Sequence, residues 1–356
     1  MTQQLTVPPS RGQDPHEPGR PGRSWRDRLI WWAPVVGLLF LAPFCAEFLS
    51  GYQGSVLNPI GLLIGVLLVT PLYGSAALLI REFTRRAGRG WPTMLLLGAA
   101  FGLVQAGLID QALFNHGSFA DGPYWQTLHT IIPGVEIDAN QLMTFVGGHM
   151  LVSFAAPIAV VEALAPTRAA KPWLGRRGLV VVVLMYLAAA GYYLVDFVIA
   201  PEFRARPVQL IATGVTALLL AAAAFLVPRL RTRSRGRAPW PVLVALLATA
   251  AHTVFMVIRD PGSPGKWAWS SIAIAVAALA LLGAVTLICS TRPGWTPAHT
   301  LAAAGPALVV YAALAFAVDP NGTFSTTKYL ANVLNLAIVL ALLGWGYLRT
   351  SRAARH

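Results

Sequence analysis

The side chains best suited to chemistry in this sequence are a few polar and ionisable groups inside long apolar runs. They are Glu47, Gln105, Asp110, His149, Asp196, His252, Asn332 and Asn335. A charged residue at the centre of a bilayer costs roughly 2.5–3.5 kcal/mol on insertion scales, so each ionisable one is a candidate for function. Carboxylates and imidazoles transfer protons, and carboxamides donate and accept hydrogen bonds. These residue types predict substrate binding, proton coupling or catalysis.

Their spacing puts some of these groups on shared helix faces. His149 and Ser153 are four residues apart, and Asn332 and Asn335 are three apart. Residues at these spacings are neighbours on a helix surface. Gln105 and Asp110, by contrast, are about 140° apart around a helix that turns 100° per residue, so they need not line one groove.

The elements that position these groups are apolar helices. Apolar residues make up 56% of the 356-residue chain and charged residues 12%, against about 25% charged in a soluble domain. This composition excludes a soluble globule and a disordered chain, and the presence of only two cysteines excludes a disulfide-stapled fold. We predict an all-α, polytopic transmembrane helix bundle with about ten spans. The spans lie near 29–50, 57–80, 92–114, 141–164, 178–200, 208–229, 240–259, 268–289, 299–318 and 327–348.

The basic residues orient this bundle. The chain carries 27 Lys and Arg against 14 Asp and Glu. Sorted by the predicted spans, 22 of the 27 lie on the side that holds both termini. The positive-inside rule then predicts a bacterial inner-membrane protein with both termini in the cytoplasm. We expect a disordered basic tail over 1–28, the membrane domain over 29–348 and a cytoplasmic tail over 349–356.

The arginine run at 229–237 has two interpretations. It sits between two spans with no folded domain around it. That setting favours attraction to anionic membrane lipid over binding of nucleic acid. Membrane lipid is therefore a predicted partner and nucleic acid is not; the sequence does not identify a small-molecule or protein partner.

The predicted topology gathers the polar groups at one depth. Six of them fall in the outer half of the membrane: Glu47, Asp110, His149, Asp196, Asn332 and Asn335. Gln105 is central and His252 is near the middle. This predicts a polar cavity that opens outward on spans one, three, four, five and ten. The alternative is that these groups hydrogen-bond one another between helices or lie among the lipid headgroups. The outer loop 115–140 is either a lid over such a cavity or an ordinary interfacial loop.

Metal and cofactor motifs are absent from the sequence. His116, His149 and His252, with Asp110 or Glu47, offer the ligand types of zinc, but no HExxH or comparable spacing brings them together. No nucleotide-binding glycine loop and no GxSxG elbow is present. We expect no metal and no cofactor.

Two stretches resemble a known family. The run from Gly102 to Asn115, followed by Phe145-Val-Gly-Gly-His149, resembles the CPBP (CAAX protease and bacteriocin-processing) intramembrane proteases. That family carries Glu-Glu-xxx-Arg, then Phe-xxx-His, then His-xxx-Asn/Asp. Phe145 and His149 match the second element only. Gln105-Ala106 stands in place of the glutamate pair, and glutamine cannot take the proton that a general base must accept. The resemblance therefore implies a relative without protease chemistry.

Three functions stay open at this point. The favoured one is a non-catalytic membrane protein related to those proteases that binds or scaffolds a partner. The second is a secondary transporter that uses Asp110, His149 and Asp196. The third is an intramembrane enzyme with a rearranged site formed by Asp110, His149 and His252. The sequence leans away from an enzyme.

Overall fold

A computed structural model describes residues 25–51, 58–115, 130–200, 203–229, 236–258, 267–317 and 324–353. Contacts between Cα atoms divide the chain into two units, Met1–Ala33 and Pro34–His356. In the first unit the described residues are the helical turns that begin at Trp25, with Leu29 and Ile30 exposed. Residues 25–28 of the predicted disordered tail are thus helical, and the rest of that tail, residues 1–24, lies outside the described part of the chain.

Helices dominate the described residues. The first half of the chain forms α1 (Trp25–Pro43), α2 (Pro59–Val69), α3 (Ser75–Arg86), α4 (Trp91–Val104), α5 (Ala139–Leu142), α6 (Ala156–Leu164) and α7 (Arg176–Leu194). The second half forms α8 (Pro207–Leu226), α9 (Pro241–Val257), α10 (Ala268–Ser290), α11 (Pro297–Ala304), α12 (Pro306–Leu314) and α13 (Thr326–Ala353). One short antiparallel hairpin pairs β1 (Ile131–Ile132) with β2 (Ile137–Asp138).

Wider π-helical turns extend several of these helices. They are π1 (Phe44–Phe48), π2 (Thr70–Gly74), π3 (Gln105–Ile109), π4 (Met143–Gly147), π5 (His149–Ala155) and π6 (Val195–Ile199). Joined to their neighbouring α-helices, they give continuous stretches such as Pro59–Arg86 and Ala139–Leu164. Among the described residues, nine stretches are long and apolar enough to cross a membrane, and α9 is a shorter apolar helix. The predicted all-α polytopic bundle is confirmed.

Three of the predicted helix ends are corrected. The second span continues past residue 80 to Arg86, and the tenth continues past 348 to Ala353. The third ends at Ile109 instead of 114. It ends there because the Asp110 side chain accepts a hydrogen bond from the Ala112 N–H, and Gln111 then takes a left-handed φ of 53°.

Hydrogen bonds from arginine side chains join several helix ends at one end of the bundle. The Arg89 guanidinium donates to the Val227 carbonyl, which joins the α3–α4 loop to the end of α8. Arg349, near the end of α13, donates to the Leu164 carbonyl at the end of α6. Arg81, near the end of α3, donates to the carbonyls of residues 168, 169 and 171, which follow α6. We call this the arginine-rich end of the bundle.

The short helix α9 begins at the place where α10 ends. The Ala238 N–H, before α9, donates to the Pro293 carbonyl, after α10. His299, in the first turn of α11, donates from Nε2 to the Pro239 carbonyl. Helices α9 and α10 therefore run antiparallel, as two successive spans must. The 17 residues of α9 rise about 25 Å, close to the thickness of the bilayer core.

The fourth span lies at the centre of the packing in the second unit. Segment π5 packs against α3, α4 and α12, and α6 packs against α11 and α13. Residues 151–163 are all buried. Helices α7 and α8 present many exposed apolar side chains instead, among them Leu184, Leu187, Ile211, Leu218, Leu219 and Leu226. An apolar surface of that kind suits contact with lipid.

Candidate functional site

The π-helical segments hold four of the eight residues that the sequence singled out. Glu47 lies in π1, Gln105 in π3, His149 in π5 and Asp196 in π6. All six segments fall in spans one to five, and the described parts of the later spans contain none. A π turn is rare and usually occurs as a single turn at a functional position. These segments therefore make the first five spans the part of the bundle in which to look for a functional site.

Glu47 is the electrostatic centre of the region. Its half-buried carboxylate acts on Asp110, on Tyr193 of α7 and on Tyr311 of α12. These side chains come from four different spans. Glu47 is thus within electrostatic range of a second carboxylate and two phenol groups from distant parts of the chain.

Asp110 is held in a defined orientation. Its Oδ1 accepts a hydrogen bond from the Ala112 N–H at 3.0 Å, and its Oδ2 accepts one from Gln105 Nε2 at 3.2 Å. The neighbouring Gln111 accepts from the Ala205 N–H at 2.8 Å, which ties this turn to the start of α8. No ion pair involves Asp110 within the described residues. The carboxylate is therefore positioned by neutral donors.

The bond between Gln105 and Asp110 depends on the π turn. An α-helix would separate these two side chains by about 140° around its axis. In π3 the Asp110 N–H donates to the Gln105 carbonyl five residues earlier, at 3.1 Å. A π turn of this type brings residues i and i+5 into register, so the two side chains meet.

His149 lies next to this cluster on the fourth span. Its Nδ1 and the Ser153 Oγ are 3.2 Å apart and share a hydrogen bond, as the four-residue spacing predicts. The imidazole ring centre lies 5.4 Å from that of Tyr73. Gly102 packs directly against His149, because a Cβ at residue 102 would lie 3.2 Å from the His149 Cβ. His149 is therefore on the α4 side of span four, one helical turn from Gln105.

The asparagines of α13 lie against the end of span one. Asn332 Nδ2 donates to the Ala315 carbonyl at 2.9 Å, and its Oδ1 lies against Gly51. Within the described residues, Asn332 Oδ1 and Asn335 Nδ2 are buried atoms without a hydrogen-bond partner. A buried polar atom of this kind costs free energy unless a ligand or water satisfies it. Lys328, in the first turn of α13, is fully buried and also donates to the Ala315 carbonyl.

Asp196 and His252 differ from the other candidates in their surroundings. Asp196 is exposed on π6, where it acts electrostatically on Tyr193. His252 is buried on α9, where its Nδ1 donates to the Ala248 carbonyl at 2.7 Å. No hydrogen bond or ring contact joins His252 to Asp110 or His149 in the described structure. The three residues of the rearranged enzyme site are thus not assembled by direct contacts.

The outer loop is described only in part. Residues 116–129, which include His116, lie outside the described ranges. The remaining hairpin is held by Asp138, which accepts hydrogen bonds from the N–H groups of Thr130 and Gln141. Glu136 and Arg206 form an ion pair at 2.7 Å that joins the hairpin to the start of α8. No group of three or more histidine, cysteine or acidic side chains suited to a metal occurs among the residues described.

A buried ion-pair cluster at the arginine-rich end was missed by the sequence reasoning. It comprises Arg81, Glu82, Arg85, Arg86 and Glu162. The side chains of Arg81 and Glu82 are fully buried, although the basic members had been assigned to a loop as orientation charges. The positions of Glu82 and Glu162 could have predicted these ion pairs, because each glutamate lies beside a predicted arginine-rich loop.

Arg81 is the centre of the ion-pair cluster. Its guanidinium donates to Glu82 at 2.8 Å and to Glu162 at 3.1 Å. It also lies 3.4 Å from the ring centre of Trp173, a cation–π geometry. Glu82 accepts in turn from the Trp173 N–H at 2.7 Å. These bonds fasten the end of span two to the segment that follows span four.

Comparisons with known proteins place the chain in a family without assigning an activity. No curated protein and no solved structure matches it. The CPBP resemblance finds no support in these comparisons. The sequence model of an uncharacterized membrane protein family matches residues 37–354. Because that match covers most of the chain and the helices are long enough to cross a bilayer, the chain belongs to this family and is a multi-pass membrane protein.

Proposed function

We propose that this protein is a proton-coupled secondary transporter for a small cation. In this proposal Glu47 and Asp110 hold either the cation or a proton. The observation that carries it is the Asp110 carboxylate, which Gln105 and the Ala112 N–H hold in place without an ion-pair partner among the described residues. A bound cation or proton stabilises a carboxylate in a region of low dielectric constant, the more so with a second carboxylate on another span.

The surroundings of the carboxylates suit a cation. Tyr193 and Tyr311 are within electrostatic range of Glu47, and aromatic rings are among the groups that bind cations. The buried Asn332 Oδ1 lies against Gly51, four residues beyond Glu47, and is an acceptor that a hydrated or amine cation can use. Intramembrane acids of this kind are common in proton-coupled pathways.

The proposal is tested in everted bacterial membrane vesicles that contain the full-length protein. Respiration acidifies the vesicles, and acridine orange fluorescence reports the proton gradient. We expect sodium, potassium or tetramethylammonium chloride to collapse the gradient faster than in vesicles without the protein. Glu47→Gln and Asp110→Asn should each abolish the difference, since each removes one charge of the pair.

The matched control is Glu136→Gln. Glu136 lies on the exposed hairpin, pairs with Arg206 and is far in sequence from Glu47 and Asp110. Its removal should leave the cation-induced collapse of the proton gradient unchanged. The proposal is contradicted if none of the three cations collapses the gradient faster than in vesicles without the protein. It is also contradicted if the faster collapse persists in both Glu47→Gln and Asp110→Asn.

The other two functions stay predictions. A non-catalytic relative of the CPBP proteases rests on Phe145 and His149 alone. An intramembrane enzyme would have to use the His149–Ser153 pair without His252. Neither has an observation comparable to the Asp110 carboxylate in its favour.

A further inference from the structure

A concave site lies at the arginine-rich end, away from Glu47. A cleft of about 270 Å³ opens between the α3–α4 loop and the end of α8. Its lining consists of Gly88, Arg89, Gly90, Pro92, Thr93, Val227, Pro228 and Arg229. The lining contains two guanidinium groups and no acidic side chain, so the site has the charge of an anion-binding pocket.

Both arginines are oriented by backbone carbonyls and keep their charge. Arg89 Nη1 donates to the Val227 carbonyl at 2.7 Å. Arg229 donates from Nε to Gly88 and from Nη2 to Ala87, each at 3.3 Å. Neither arginine forms an ion pair with a carboxylate among the described residues. The remaining donors of these guanidiniums are suited to a phosphate, which matches their planar geometry.

The backbone adds to the positive potential of the cleft. Helix α4 begins in the cleft wall, and its N-cap is Gly90, which has no side chain to cap the first turn. The hydroxyl of Thr93 does not cap it either, because it donates to the Ala224 carbonyl at 2.7 Å. The amide groups of the first turn therefore reinforce the attraction for an anion.

The surface beside the cleft is apolar. Leu226 directly precedes the lining residue Val227 and is 79% exposed, and Leu218 and Leu219 lie further along the same helix. A ligand with a phosphate in the cleft can lay an acyl chain along these leucines. Inorganic phosphate has no acyl chain, so it would gain no binding energy from this apolar surface.

We propose that this cleft binds the phosphate headgroup of an anionic phospholipid, with Arg89 and Arg229 as the phosphate ligands. Basic pockets between membrane helices are known to hold such headgroups. The site is distinct from the proposed cation site, so either proposal can fail without the other.

The test uses the full-length protein in detergent, with phosphatidylglycerol and phosphatidylcholine as probes. Bound lipid is counted by native mass spectrometry over a lipid titration. We expect phosphatidylglycerol to bind more tightly than phosphatidylcholine. Arg229→Gln should weaken phosphatidylglycerol binding about fivefold, since one basic residue near a membrane surface is worth about 1 kcal/mol. The double variant Arg89→Gln/Arg229→Gln should weaken it about 25-fold if the two effects add.

The matched control is Arg176→Gln/Arg177→Gln, which removes two exposed arginines at the start of α7 outside the cleft. It should bind phosphatidylglycerol like the wild type. Arg229→Gln removes an exposed side chain, so it tests the site even if loss of Arg89 disturbs folding. Equal losses in the control and cleft variants, or no loss in Arg229→Gln, overturn the proposal. Displacement of the lipid by an equal concentration of inorganic phosphate also overturns it, because the site would then be one for the free anion.

Discussion

The buried charged side chains of this protein are held by ion pairs and hydrogen bonds. In the ion-pair cluster, Arg81 and Arg85 both donate to Glu162, and Glu82 accepts from the Trp173 and Leu174 N–H groups. Removing one member of a buried pair leaves the other desolvated and uncompensated. The same logic applies at Asp110, where hydrogen bonds from Gln105 and Ala112 hold the carboxylate without neutralising it.

We predict that Glu162→Ala lowers the free energy of unfolding by about 3–5 kcal/mol, since it removes the carboxylate that Arg85 pairs with and one of the two carboxylates that Arg81 pairs with. Chemical unfolding of the protein in mixed micelles, followed by circular dichroism, measures the change. Glu136→Ala is the control, because its exposed pair with Arg206 is worth at most about 1 kcal/mol. Equal effects of the two substitutions would show that the ion-pair cluster contributes no more than a surface pair.

At the scale of helices, close backbone approach positions the π-helical segments. Gly74 ends π2 directly against the Leu39 carbonyl of α1, with no room for a Cβ. Contact of this kind lets two membrane helices pack at short range. It fixes span two beside the span that carries Glu47, and so supports the geometry of the carboxylate pair.

We predict that Gly74→Ala destabilises the bundle by about 1–3 kcal/mol, because the added methyl group must push α1 and span two apart. Gly283→Ala in α10 is the matched control, since nothing lies within 4 Å of its Cβ position. That change should be neutral or stabilising by up to about 1 kcal/mol. Thermal unfolding of both variants measures the difference. A Gly74→Ala protein as stable as the Gly283→Ala protein would mean that the helices do not need this contact.

Across the whole molecule, the hydrogen bonds sort helix ends into two groups. Arg81, Arg89 and Arg349 lie at one end with the loops that follow α6 and α8. The hairpin lies at the other end, where Gln209 Nε2 donates to the Val135 carbonyl. These arginine-rich loops therefore lie at one end of the bundle; that this end faces the cytoplasm is a prediction of the positive-inside rule.

We predict that residues 136 and 353 lie on opposite sides of the membrane. In cells whose inner membrane is intact, an impermeant maleimide should label Glu136→Cys and leave Ala353→Cys unlabelled until the membrane is permeabilised. The native cysteines, Cys45 and Cys289, are both buried and should contribute little background. Labelling of both introduced cysteines, or of Ala353→Cys alone, would contradict the predicted orientation.

The sequence by itself determined the class of fold, the number of apolar helices and the grouping of basic residues, because all three follow from hydropathy and charge along the chain. Only the tertiary structure decided which polar groups meet. A π turn brings Gln105 to Asp110, and packing between distant spans brings Asn332 to Gly51, whereas Asp196 stays exposed. Helical periodicity assumes 3.6 residues per turn and describes one helix at a time. It therefore carries no information about a local change of pitch, or about the neighbour that buries an arginine such as Arg81.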